Sequence, residues 1–185
     1  GLPARKHRTS LLRGVPGHSV AGTPGPGRTM TSKAFQDFYP DELSHCYGCG
    51  SKNPAGHQLK SYWDGEQTVA RFLPGESDTA IPGYVYGGLI ASLIDCHGTG
   101  SAFAAASRAQ GRAMSAEPPL RFVTASLKVD YLAPTPMGIE LVLRGTPVEV
   151  KDRKVIVEIS LHAGDTLCAR GTVIAVKMPE NMLPA

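Results

Sequence analysis

Three features of the chain are of residue types that could do chemistry: Asp95, the pair Gly87-Gly88, and Thr124. Asp95 closes the apolar run Leu89–Ile94, where a helix would bury its side chains. A carboxylate there needs partners, because an unpaired buried charge is costly. The plainer alternative is an aspartate facing solvent or an interface. Gly87-Gly88 open the same segment, where free backbone N–H groups and the helix dipole favour developing negative charge. The plainer alternative there is a turn before a helix. Thr124 sets a hydroxyl on the polar face of a later strand, although most strand threonines only pack. His97 follows Asp95 by two residues, about 200° around a helix, so the two side chains point apart and form no dyad. It is a satisfied structural histidine or a contact to a bound group. Cys46 and Cys49, with His45 and His57, offer four metal ligands, yet the second half of a zinc ribbon or finger is missing. No metal or other cofactor is expected.

Positioning these groups requires one helix and a sheet. Gly87 to Ala106 reads as the long helix, with Leu89, Leu93, Cys96, Gly100 and Phe103 spaced as a stripe buried along one side. Gly98 and Gly100 lower its helix propensity by about 1 kcal/mol each, and leave room for close neighbours. Before it, His57–Trp63 and Gln67–Leu73 flank Asp64-Gly65 as an antiparallel hairpin. The stretch Pro74–Pro82 reads as a loop. After Pro118-Pro119 the period becomes two: Val123, Ala125, Leu127, Val129 and Tyr131 alternate with Thr124, Ser126, Lys128 and Asp130. Strands are expected again near residues 139–150, 154–162 and 166–177, with short connections. The sum is an α+β domain, one long helix against a curved antiparallel β-sheet.

Composition narrows the function classes. The chain has 185 residues, 42% hydrophobic and 19% charged, enough for one domain and a tail. Residues 1–29 carry Arg5, Lys6, Arg8, Arg13 and Arg28 without an acid, leaving a core of 14 basic and 16 acidic residues. The basic character belongs to that tail, so a nucleic-acid-binding core is not supported. Rich in glycine and proline, 1–29 is expected to be a disordered tail, an expression remnant or upstream translation in preference to a targeting segment, with a single domain over 30–185. Four cysteines in a chain of this length do not make a disulfide framework, which suits a reducing, cytoplasmic setting. No stretch approaches the length of a membrane span.

The segment Gly83-Tyr84-Val85-Tyr86-Gly87-Gly88, with Asp95 after a six-residue spacer and the strand ending Val129-Asp130-Tyr131-Leu132-Ala133-Pro134, resembles the hotdog-fold acyl-CoA thioesterases. The likeness is to the phenylacetic-acid-degradation and human thioesterase-superfamily type, over about residues 43–178. Cys46-Tyr47-Gly48-Cys49-Gly50, with Asn53-Pro54 and Gly56, also resembles an N-terminal segment of that group. The resemblance implies a sheet wrapped around a central helix, and hydrolysis of an acyl-CoA to a carboxylic acid and CoA, a part of lipid metabolism. Asp95 would be general base or nucleophile, Gly87 the oxyanion donor with Gly88 beside it, and Thr124 a positioning hydroxyl. The chain departs where the family histidine is Tyr86 and an active-site asparagine of some members is Ala80, so Tyr86 or His97 would supply polar assistance.

Arg108, Arg112, Lys128, Arg153 and Lys154 are candidates for binding CoA phosphates. Gly87 and Asp95 are eight residues apart on one helix, about 12 Å, so a single carbonyl cannot meet both within one chain. A homodimer with an interfacial site, assembling further to a homotetramer, is the expectation. Two other readings remain: an acyl-CoA-binding hotdog protein without turnover, and an enoyl-CoA hydratase.

Overall fold

The computed structural model describes residues 33–182. The tail expected at 1–29 lies outside the described residues.

Six strands form one antiparallel sheet: β1 (Ser61–Asp64), β2 (Gln67–Phe72), β5 (Phe122–Tyr131), β6 (Leu141–Val150), β7 (Lys154–Ala163) and β8 (Thr166–Lys177). Their order is β1-β2-β6-β7-β8-β5, which leaves β5 on an edge. One helix, α1 (Gly87–Ala109), packs against the sheet. Val155, Val157, Ile159 and Leu161 of β7 are all buried, as strict alternation demands of a strand with one face on the core. The curved sheet wrapped on a single long helix is the hotdog fold. Among the described residues no helix is long and apolar enough to cross a membrane.

Several boundaries differ from the sequence reading, each for a local reason. The first hairpin turns on Gly65-Glu66, because Asp64 pairs with Gln67 and Gly65 takes a φ of 75° that a Cβ would oppose. The segment His57–Lys60 is no strand. Its backbone instead bonds back to the cysteine-containing turn, His57 N–H to Tyr47 O at 2.8 Å and Leu59 N–H to Gly48 O at 3.0 Å. The loop before the helix contains two short strands, β3 (Thr79–Ile81) and β4 (Tyr84–Val85), paired antiparallel.

The helix is not striped. From Cys96 to Ser107 every residue is buried, the signature of a helix enclosed on all sides. Gly98 is what allows β8 so close: a Cβ there would lie 2.5 Å from a Val173 methyl and 2.7 Å from its Cβ.

Candidate active site

A bulge in β5 builds the site. The pairing of β5 with β8 shifts between Thr124 and Ser126, leaving Ala125 as the extra residue. An extra residue swaps which parity of side chain faces the helix. Before it, Phe122 enters the core and Thr124 reaches α1; after it, Val129 packs on the core and Tyr131 reaches the start of α1. Thr124 therefore does not share a face with Lys128 and Asp130, as uninterrupted alternation implied.

Thr124 donates its hydroxyl hydrogen to Asp95 Oδ1. Asp95 is half-buried, and desolvation raises its carboxyl above the ordinary value. The Thr124 hydrogen bond opposes that rise, and the nearby Cys46 sulfur adds to it. A carboxylate so placed is a stronger proton acceptor than a surface aspartate, while one oxygen stays oriented by the threonine.

At the other end, Tyr86 caps α1 in an extended conformation, and the Leu89 and Ile90 N–H groups turn back onto its carbonyl at 3.1 and 3.3 Å. Among the described residues, the N–H groups of Gly87 and Gly88 have no acceptor. The Tyr131 hydroxyl donates to Gly87 O at 2.8 Å, which fixes the first peptide of the helix. A Cβ at Gly88 would meet the exposed Tyr86 ring, 2.5 Å from its hydroxyl oxygen, so a larger residue there would displace that ring. An open, mostly apolar groove of about 610 Å³ runs beside these groups, between Ile81, Tyr84, Gly87, Ile90, Tyr131 and Leu132. Tyr131 is a site residue that the sequence pattern does not single out. Its only signal was its place at the end of the motif strand.

The other expected contacts are placed as follows. Tyr86 is exposed at the groove end of the helix. His97 is fully buried on the sheet side, with Nδ1 2.9 Å from Ser61 Oγ and Nε2 3.2 Å from Thr68 Oγ1, so it does not reach the site. The expected substrate contact at His97 is not formed, because both ring nitrogens are taken by Ser61 and Thr68 inside the core. Arg108 stacks on Trp63, 3.4 Å from the ring centroid, and Arg112 donates to Ala116 O at 2.8 Å. Lys128 pairs with Asp130 on the outer face of β5 at 2.9 Å. Lys154 pairs with Glu149 at 2.7 Å, and Arg153 is exposed in the turn before it.

Fold and site together define a hotdog protein with a buttressed acid and an open helix start. The thioesterase-superfamily profile matches residues 82–169. A thioesterase-superfamily protein from Shewanella loihica PV-4 is 59% identical, aligning 75% of this chain with 98% of its own, at a TM-score of 0.58. The chain belongs to the thioesterase superfamily. Two more distant structures share the fold. A thioesterase from Haemophilus influenzae is 14% identical over 70% of this chain and 85% of its own, with a TM-score of 0.56. A phenylacetic acid degradation-related protein from Ralstonia eutropha JMP134 is 15% identical over 65% and 85%, with a TM-score of 0.54. No curated protein matches the chain. Membership supports a thioester-hydrolase type of activity.

Proposed function

We propose that the protein hydrolyses acyl-CoA thioesters: acyl-CoA and water give a carboxylic acid and CoA. The observation that carries this reading is the Thr124–Asp95 pair, a half-buried carboxylate held by a hydroxyl at an open edge of the sheet. Asp95 takes a proton from the attacking water or attacks the carbonyl itself, and the free N–H groups at Gly87 and Gly88 stabilise the oxyanion. The apolar groove beside Gly87 takes the acyl chain. Arg153 and Lys154 are assigned to the CoA phosphates, because Lys154 and Val123 are both in register with Val176, next to Thr124 on the edge strand.

The acid and the oxyanion donors lie about 12 Å apart along α1, so one site takes Asp95 from one protomer and Gly87 from its partner. The edge strand β5 supports that assembly. It is ten residues long and mostly exposed in the single chain, including Leu127 at 38% and Tyr131 at 55%. A long, bare edge of this kind is normally covered. Homodimers pairing β5 edges, assembling further to homotetramers, are the proposed form, and ultracentrifugation showing a stable, active monomer would refute it.

The test of the activity is release of free CoA thiol from short, medium, long and aryl acyl-CoAs, by wild type and Asp95→Asn. Asparagine keeps an oxygen for Thr124 to donate to but cannot accept the proton. Hydrolysis of at least one substrate, falling by roughly 10²-fold or more in the variant, is expected. Equal rates would remove Asp95 from the chemistry. Tight binding of acyl-CoA without turnover would favour a binding protein instead.

A further inference from the structure

The turn Cys46-Tyr47-Gly48-Cys49-Gly50 seats against α1, and its two thiols meet a third, Cys96, 50 residues further along the chain from Cys46. We propose that Cys46, Cys49 and Cys96 form a binding site for a thiophilic divalent cation of the zinc class. The three sulfurs lie within 4.8 Å of one another, and Cys46 Sγ is 3.7 Å from Cys96 Sγ. A tetrahedral ion with zinc–sulfur bonds of about 2.3 Å sets its ligand sulfurs about 3.8 Å apart, so the cluster needs only a small contraction to close on a metal.

The local backbone holds the three sulfurs together. Gly50 N–H bonds to Cys46 O at 2.7 Å and closes the turn. Glycine is required at 48, because a Cβ would run into Cys96 Sγ and lie 3.1 Å from Ser92 Oγ. The charge also balances. Three thiolates and a divalent cation leave one negative charge, and the Arg121 guanidinium stacks 3.7 Å from the Tyr39 ring centroid within electrostatic reach of Cys49 and Cys46. Its Nη1 is buried with no hydrogen-bond partner.

The ligand set differs from the one the sequence suggested. His45 is not within the cluster, and His57 packs its ring between Tyr47 and Phe72. Among the described residues no histidine or carboxylate completes the set. The fourth position is left to water or a small ligand on the more open side, at Cys46. The metal would staple the segment before β1 to the helix one residue beyond Asp95, and this inference stands whether or not the protein hydrolyses acyl-CoA.

The experiment uses the full chain, purified without a metal-affinity tag, reduced, freed of metal with a chelator and kept under nitrogen. Zinc is titrated in against a chromophoric chelator. Cobalt is added in parallel, since thiolate-to-cobalt charge transfer reports sulfur ligation directly. One equivalent of each is expected, with the cobalt band present. Cys46→Ser is the decisive variant: its side chain is the least enclosed, so folding, checked by circular dichroism, is expected to survive. Its zinc affinity should fall on the order of 10²-fold or more, since even outer contacts to a metal ligand are worth 10- to 100-fold. Cys168→Ala, a buried cysteine outside the cluster, should bind zinc as wild type does. Absence of uptake by folded, reduced wild type overturns the proposal, as does unchanged affinity in Cys46→Ser. A Cys46–Cys96 disulfide in air, with no zinc uptake after reduction, would also overturn it and mark the cluster as a thiol switch.

Discussion

Acidification should destabilise this fold through His97, and the network around that side chain sets the size of the effect. The ring is fully buried and touches only neutral groups. Gln36 Nε2 donates to Ser61 Oγ at 3.1 Å, so the Ser61 hydroxyl is free to donate to His97 Nδ1. Ser101 donates to His97 O at 2.7 Å, so its 2.6 Å contact with Thr68 needs the Thr68 proton. Thr68 must then accept from His97 Nε2. Only the tautomer with a proton on Nε2 gives every hydroxyl hydrogen an acceptor. A second proton, on Nδ1, would leave Ser61 facing two donors with its own hydrogen orphaned, in a fully buried site.

Burial accordingly lowers the His97 pKa to about 4 from an ordinary 6.5. A histidine held neutral contributes stability that is complete above the unfolded value and is lost as the pH falls from 6.5 to 4. Two and a half pH units at about 1.4 kcal/mol each give a loss of about 3 kcal/mol, a large share of a typical 5–15 kcal/mol. The assay is urea unfolding of the reduced, metal-free protein at a series of pH values, followed by circular dichroism. The unfolding midpoint of wild type should fall steadily below pH 6.5. Asp95, whose carboxyl is raised by burial, titrates with the opposite sign, so the comparison is with His97→Gln. That variant should be less stable at pH 7 and lack the His97 part of the slope. Equal slopes in the two proteins would refute the network argument.

Other outcomes follow from the same contacts. Gly98→Ala gains about 1 kcal/mol of helix propensity, but forces a methyl group against Val173, an overpacking cost of about 1–3 kcal/mol. Net destabilisation by thermal unfolding is expected, relieved when Val173→Ala is added; stabilisation by the single change would show that the sheet gives way freely. Thr124→Val keeps the shape of the strand residue and removes the hydroxyl on Asp95. Because that hydrogen bond holds the carboxyl down, the acid limb of the rate profile should move to higher pH, with kcat/KM reduced about tenfold. An unmoved acid limb would separate Thr124 from the titrating group.

How much of this could be read from residues alone depends on the range of each contact. The acid is visible because a carboxylate ends the mostly apolar run Leu89–Ile94, and the opposition of His97 to Asp95 follows from helical rotation alone. The four long strands after the helix show their period. The strands β3 and β4 do not, because three and two residues carry no period and are held by pairing across Gly83. Nor could the β5 bulge be seen: the hydrophobic alternation runs through Ala125 unbroken, while the backbone spends one residue there and re-aims Thr124 toward the helix. The thiol cluster was half visible. The Cys46–Cys49 pair is a local signal, but Cys96 sits in a run of buried helix residues where a cysteine passes for a small hydrophobe.

Four consecutive residues explain why Asp95 is placed firmly although it sits at an open edge. Successive helical side chains turn by about 100°, so residues 95 to 98 face four quarters of the circumference. Asp95 meets Thr124 on β5, Cys96 meets Cys46 in the N-terminal turn, His97 meets Ser61 and Thr68 on β1 and β2, and Gly98 meets Val173 on β8. Each contact resists rotation of the helix in a different direction. A shift that freed the carboxylate would have to open the thiol cluster, break the histidine network or press the backbone at Gly98 into β8. That is why polar residues and glycines occupy the middle of a helix enclosed on every side, against their propensity: they fasten the helix in the one orientation that presents Asp95 to Thr124 at the open edge of the sheet.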